Sequence, residues 1–131
     1  MLGLDTNVLV RYLVQDDPQQ YQKARRLIVR ELANGAPVLI SLLVLLETER
    51  VLRSRYQLEK ARILMTISAL LDTADLTFED EACIEQALYS WRDSAADFSD
   101  CLIEARNRRL GCSATATFDA KALAVAGFVS V

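Results

Sequence analysis

The residues of this sequence best able to do chemistry are carboxylates: Asp5, Glu47, Asp97, Asp100 and Asp119. The chain has no histidine. That excludes Ser-His-Asp and Cys-His triads, paired-histidine RNA cleavage and histidine-ligated zinc. Carboxylates, amines, hydroxyls or a metal ion must carry any reaction. Several carboxylates converging on one place would suit Mg²⁺ or Mn²⁺, hard ions that favour oxygen ligands in near-octahedral geometry. One ion lowers the pKa of a water, and a second stabilises the leaving oxygen of an in-line phosphoryl displacement.

Each acid also has a simpler reading, and spacing alone leaves both open. Asp5 lies between Leu4 and Thr6-Asn7-Val8. An ionised carboxylate with apolar neighbours so close must cap a helix, meet a base or hold a cation. Glu47 stands at the margin of an apolar stripe, with Leu43, Val44, Arg50 and Val51 three and four residues away. It reads as a metal ligand or as a surface partner of Arg50. Glu49 projects further from the stripe and is expected in solvent. Asp97 and Asp100 open a helix, where either can cap and both suit the helix dipole. Periodicity does not say which of the two faces a site. Asp119 follows Thr117-Phe118 and can cap the helix expected after it.

Composition sets the frame. The 131 residues fit one domain, 1–131, and 52% apolar residues provide a sizeable core. No apolar run is long enough for a transmembrane helix. The opening MLGLDTNVLVRYL lacks the basic start and small-residue cleavage site of a secretory leader, so a soluble cytoplasmic protein is expected. Cys83, Cys101 and Cys112 form no Cys-x-x-Cys pair. Buried free thiols are expected, not disulfides or a cysteine zinc site. A net charge of −3 runs against nucleic-acid binding, unless several of the acids share a metal site whose cation reverses the local charge.

The elements that must position these acids alternate. Leu2-Gly3-Leu4, Pro37–Ile40, Asp75–Phe78, Cys112–Thr117 and Gly127–Val131 read as strands. Helices are expected over 6–15, from Asp17-Pro18 to Asn34-Gly35, from Ser41 to about 55, and over 58–71. Others run through Cys83 to Trp91, over 97–110 with Gly111 as the closing residue, and over 119–125. This order predicts an α/β domain with a parallel sheet covered on both faces. Ligands of such sheets bind beyond the carboxyl ends of the strands, which is where Asp5 and Asp119 fall.

Leu4-Asp5-Thr6-Asn7-Val8-Leu9, Glu47 in a leucine-rich helix, Asp97-Phe98-Ser99-Asp100 and Thr117-Phe118-Asp119 follow the order and spacing of PIN-domain proteins. Over essentially its whole length the chain resembles that family, and most of all the VapC toxins of bacterial toxin–antitoxin pairs. The resemblance implies a three-layer α/β/α PIN-like fold with a mostly parallel central sheet. It implies Asp5, Glu47, Asp100 and Asp119 as the catalytic, metal-holding acids. Asn7 and Thr117 would be polar helpers, and Asp97 a rival or support to Asp100. One or two Mg²⁺ or Mn²⁺ ions would activate water against an RNA phosphodiester, leaving a 5′-phosphate and a 3′-hydroxyl. The resemblance further implies a homodimer, and a cognate antitoxin whose C-terminal segment crosses the groove and presents a basic side chain to it.

RNA contacts would need basic and aromatic groups. Lys23, Arg25, Arg26 and Arg30 crowd one helix, Arg50, Arg53 and Arg55 end another, and Arg106, Arg108 and Arg109 end a third. Each reads as solvated helix surface or as a phosphate contact. Trp91 or a tyrosine could stack on a base, with core packing or a dimer contact as the simpler role. Three other functions fit less well. A haloacid-dehalogenase-like phosphatase places a second Asp two residues after its nucleophile, where this chain has Asn7. A non-catalytic PIN-like binding module would have no need of the full set of acids. A phosphoacceptor domain would want a late-strand Lys that this order of elements does not supply.

Overall fold

The alternation of short apolar runs with amphipathic helices is realised almost element for element in the computed structural model, which describes residues 1–131. The chain divides into two units, Met1–Glu79 and Asp80–Val131.

In the first unit, β1 (Leu2–Gly3), β2 (Val38–Ile40) and β3 (Thr77–Phe78) form a parallel sheet in the order β1-β2-β3. Leu2 lies opposite Val38, and Leu39 opposite Thr77. Parallel neighbours need long crossovers. α1 (Thr6–Val14) and α2 (Pro18–Ala33) supply the first, α3 (Leu42–Ser54) and α4 (Lys60–Leu71) the second. Leu9, Val38, Ile40, Leu45, Leu52 and Ile63 are fully buried, each contributing on the order of 1.5–3 kcal/mol by leaving water. The helix starts follow local chemistry. Asp17 accepts from the Gln19 and Gln20 N–H groups at 3.2 and 3.1 Å, with Pro18 in the first turn. Ser41 Oγ accepts from the Val44 N–H at 3.3 Å.

Two expectations for this unit are corrected. Leu58 does not begin α4; its N–H donates to the Leu52 carbonyl after a left-handed Gln57, so it closes α3 instead. Glu49 is not solvated but 2% exposed. The buried face of α3 runs through Leu45, Thr48, Glu49 and Leu52, while Leu43 is 78% exposed. The unbroken leucine run hid this face. Arg53 meets the buried carboxylate at 3.0 Å.

The second unit packs α5 (Glu81–Arg92) on α6 (Phe98–Arg109) through Ile84, Ala87, Leu88, Cys101 and Leu102. Trp91 is tilted against Phe98 with ring centroids 5.1 Å apart. It is 4% exposed, so its role is packing and it offers no face to a base. Asp80 caps α5, accepting from the Cys83 N–H. α6 closes as expected at Gly111, whose φ of +100° an ordinary side chain rarely adopts. The Gly111 N–H donates to the Arg108 carbonyl and the Cys112 N–H to that of Asn107, the hydrogen-bond pair of a Schellman motif. That motif takes Cys112 out of the strand, so β4 is only Thr115–Thr117. Cys112 is exposed, against expectation, whereas Cys83 and Cys101 are buried free thiols. β4 pairs in parallel with β5 (Phe128–Ser130). The helix expected over 119–125 shrinks to one 3₁₀ turn, Ala122–Ala124. No helix is long and apolar enough to cross a membrane.

Candidate metal centre

In the second unit the start of α6 and the end of β4 bring three acids together. Asp97 is the N-cap residue of α6 and Asp100 lies in its first turn, a spacing that puts both on one side of the helix at its positive end. The Asp97 N–H donates to Asp100 Oδ2 at 3.4 Å. Asp119 follows β4 in a turn held by two hydrogen bonds. Its N–H donates to Thr117 Oγ1 at 3.0 Å, and its Oδ1 accepts from the Lys121 N–H at 2.9 Å. Thr117 therefore acts as a positioning group for Asp119. One carboxylate oxygen from each of Asp97, Asp100 and Asp119 lies within 4.8 Å of the others.

Electrostatics favour a cation there. Burial pushes the Asp100 carboxyl up, and the charges of Asp119 and Asp97 push it further; the Asp97 N–H opposes them. The donor set is oxygen only, which suits a hard divalent ion and not the nitrogen and sulfur ligation of structural zinc. The sequence left Asp97 and Asp100 as alternatives; the structure brings both near Asp119.

Further along α6, Glu104 is 3% exposed and bound by Arg108 through Nε and Nη2. Its Oε2 has no hydrogen-bond partner. Gly127, at φ +103°, lies so close that a Cβ there would run into the Glu104 carboxylate.

In the first unit, Asp5, Asn7 and Glu47 line one hollow of about 300 Å³ together with Arg11, Arg55 and Tyr56. Asp5 Oδ1 accepts from the Thr6 N–H at 2.7 Å at the start of α1. Glu47 is bound by Arg50 through both carboxylate oxygens, and this hydrogen bonding holds its carboxyl below the usual range. Sequence reasoning passed over Arg11 and Tyr56. The Arg11 Nη1 donates to Asp16 Oδ1 at 2.8 Å and to Tyr56 Oη at 3.3 Å, and the Tyr56 hydroxyl donates to Asp16 Oδ2 at 3.1 Å. The Arg11–Asp16 spacing is visible in the sequence, but nothing there points to Tyr56.

A family model described as PIN domain matches residues 3–128. The chain belongs to the PIN-domain family. PIN domains are generally metal-dependent nucleases, and the aspartate cluster is compatible with that use of divalent metal. The mostly helical chain with parallel strand pairs fits the PIN-like α/β fold class. The match spans both units of the chain. No curated protein matches it.

Proposed function

We propose that this PIN domain is a Mg²⁺- or Mn²⁺-dependent endoribonuclease, and that it is the toxin of a toxin–antitoxin pair. The observation that carries the nuclease reading is the convergence of Asp97, Asp100 and Asp119 oxygens within 4.8 Å in a chain of this family. Asp100 and Asp119 would hold one ion, with Asp97 in support. Asp5 and Glu47 are the further acids on which cutting would depend, and Asn7 and Thr117 the polar groups that keep those acids in place.

The reaction is hydrolysis of an RNA phosphodiester. A water oxygen bonds to phosphorus, the bond from phosphorus to the 3′ oxygen breaks, and that oxygen takes up a proton. The products are a 5′-phosphate and a 3′-hydroxyl. One or two divalent ions, when bound, supply the positive charge that eases ionisation of water and offsets charge on the phosphate oxygens. The chain's own contribution is positional. Thr117 holds the Asp119 backbone N–H and the Lys121 N–H holds the Asp119 carboxylate, and the Asp97 N–H steadies Asp100. Arg50 engages both Glu47 oxygens, and each oxygen keeps a further lone pair with which it would meet an ion.

A cytoplasmic site of action, a homodimer and a cognate antitoxin belong to the same reading and rest on the likeness to VapC toxins. The test is cleavage of total RNA with Mg²⁺ or Mn²⁺ by the wild type and by Asp5→Asn and Asp119→Asn at matched folding. Cutting that needs metal and disappears in the variants is expected. A folded, metal-loaded wild type that binds RNA without cutting would favour the non-catalytic binding module. An acyl-phosphate on Asp5 would favour the phosphatase.

A further inference from the structure

The first-unit hollow that holds Asp5 and Glu47 also contains a guanidinium prepared for an anion. Arg11 is partly buried, its side chain 27% exposed, and Asp16 and Tyr56 close a three-membered ring of hydrogen bonds around it. Both of its bonds leave from Nη1. By contrast, Arg50, Arg53, Arg108 and Arg109 each engage a carboxylate through Nε. Arg11 alone of these keeps its Nε–H and Nη2–H edge unengaged while its other edge is braced. Two parallel N–H donors on one planar edge match two oxygens of a phosphate, and holding the plane in advance reduces the ordering cost of the contact. Arg11 and Asn7 also line the neighbouring hollow of about 450 Å³ between α1 and α2, where Lys23 and Gln20 stand. An anionic strand leaving Asp5 and Glu47 would pass Arg11 to reach it.

We propose that Arg11, braced by Asp16 and Tyr56, clamps a phosphate of the RNA strand next to Asp5 and Glu47, and that Lys23 meets the strand beyond it. This rests on the ribonuclease reading for its substrate, and it assigns to Asp16 and Tyr56 the role of positioning residues.

The experiment measures binding of a mixed-sequence single-stranded RNA to the full chain across a salt series with Mg²⁺, in an Asp119→Asn background. Cleavage kinetics in the otherwise wild-type chain accompany it. Arg11→Gln is expected to weaken binding about tenfold or more. It should also lower the slope of log affinity against log salt by about 0.7, the value for one phosphate contact on a single strand. Arg11→Lys restores the slope but not the full affinity, because an ammonium has charge without the fork. Asp16→Asn and Tyr56→Phe keep the slope and raise KM by a smaller factor with kcat little changed. Thermal unfolding confirms that each variant is folded. Wild-type affinity and slope in Arg11→Gln, or no RNA binding by the parent, would overturn the proposal. If the parent binds through Arg11 but the wild type does not cut, the nuclease reading fails and the clamp stands. If the wild type cuts and Arg11→Gln cuts equally well, the clamp fails and the nuclease reading stands.

Discussion

Replacing Asp100 with Asn should raise stability without metal and abolish the stabilisation that metal provides. Asp97, Asp100 and Asp119 oxygens lie within 4.8 Å of each other. At that distance each pair of like charges repels by about 0.9 kcal/mol in a water-like dielectric, the conservative choice for a site with two exposed members. Asp100 takes part in two such pairs. Physiological salt, with a screening length of about 8 Å, roughly halves the sum, leaving about 1 kcal/mol. The Asn side-chain oxygen can still accept from the Asp97 N–H, so little is lost in return. For a chain of this length 1 kcal/mol moves Tm by roughly 4 °C. With metal the order reverses. An ion present at 100 times its Kd stabilises the wild type by about 2.7 kcal/mol, and the variant gains much less. The assay is thermal unfolding of both proteins in chelator and in a Mn²⁺ series. A variant less stable than wild type in chelator, or one with the same gain from Mn²⁺, would refute the reasoning.

Gly127→Ala should destabilise the protein by about 1–3 kcal/mol, because φ is +103° and the new Cβ meets a carboxylate held by Arg108; urea unfolding measures it. Arg53→Ala removes the partner of Glu49, which is 2% exposed, and should cost about 1–3 kcal/mol; Glu49→Gln in the same background should recover part of that loss. Asp80 predicts an acid-sensitive contribution. Burial works against its charge, but the Arg109 hydrogen bond, the Cys83 N–H and the nearby Arg109 and Arg106 charges hold its carboxyl below the ordinary value. A folded value below the unfolded one gives stability that is present above the ordinary carboxylate pKa of about 3.9. It is lost as pH falls through the lowered folded value. Asp80→Asn keeps the capping acceptor and should flatten the acid limb of a Tm-against-pH curve; an unchanged limb would reject the assignment. Glu47→Gln should weaken Mn²⁺ binding measured by calorimetry, and unchanged affinity would remove Glu47 from the metal-holding set.

Much of the fold was legible because its punctuation is local. Asp17-Pro18 begins a helix with its own side chain, and Gly111 ends one with its own φ. What failed was set by neighbours distant in sequence or by competition for one residue. Glu49 looked solvated because a leucine run has no visible polar face, and burial on a second side of α3 does not register in periodicity. Cys112 looked like strand until the closing motif of α6 claimed its N–H. The acids were legible as types and in order, but the clustering of both Asp97 and Asp100 with a third acid depends on where the turn after β4 places Asp119. Arg11 was missed because what distinguishes it is a partner far along the chain, Tyr56, and a choice of which nitrogen is engaged.

The aspartate cluster has a consequence for how the chain folds. All three carboxylates come from the stretch 97–119, so the loop that must close to assemble them is short and its entropy cost grows only slowly with length. Contacts of such small sequence separation are among the first a chain can make. Divalent ion in the refolding buffer would therefore be felt early, speeding the step that joins the start of α6 to the end of β4, whereas a site gathered from distant strands would feel it only near completion.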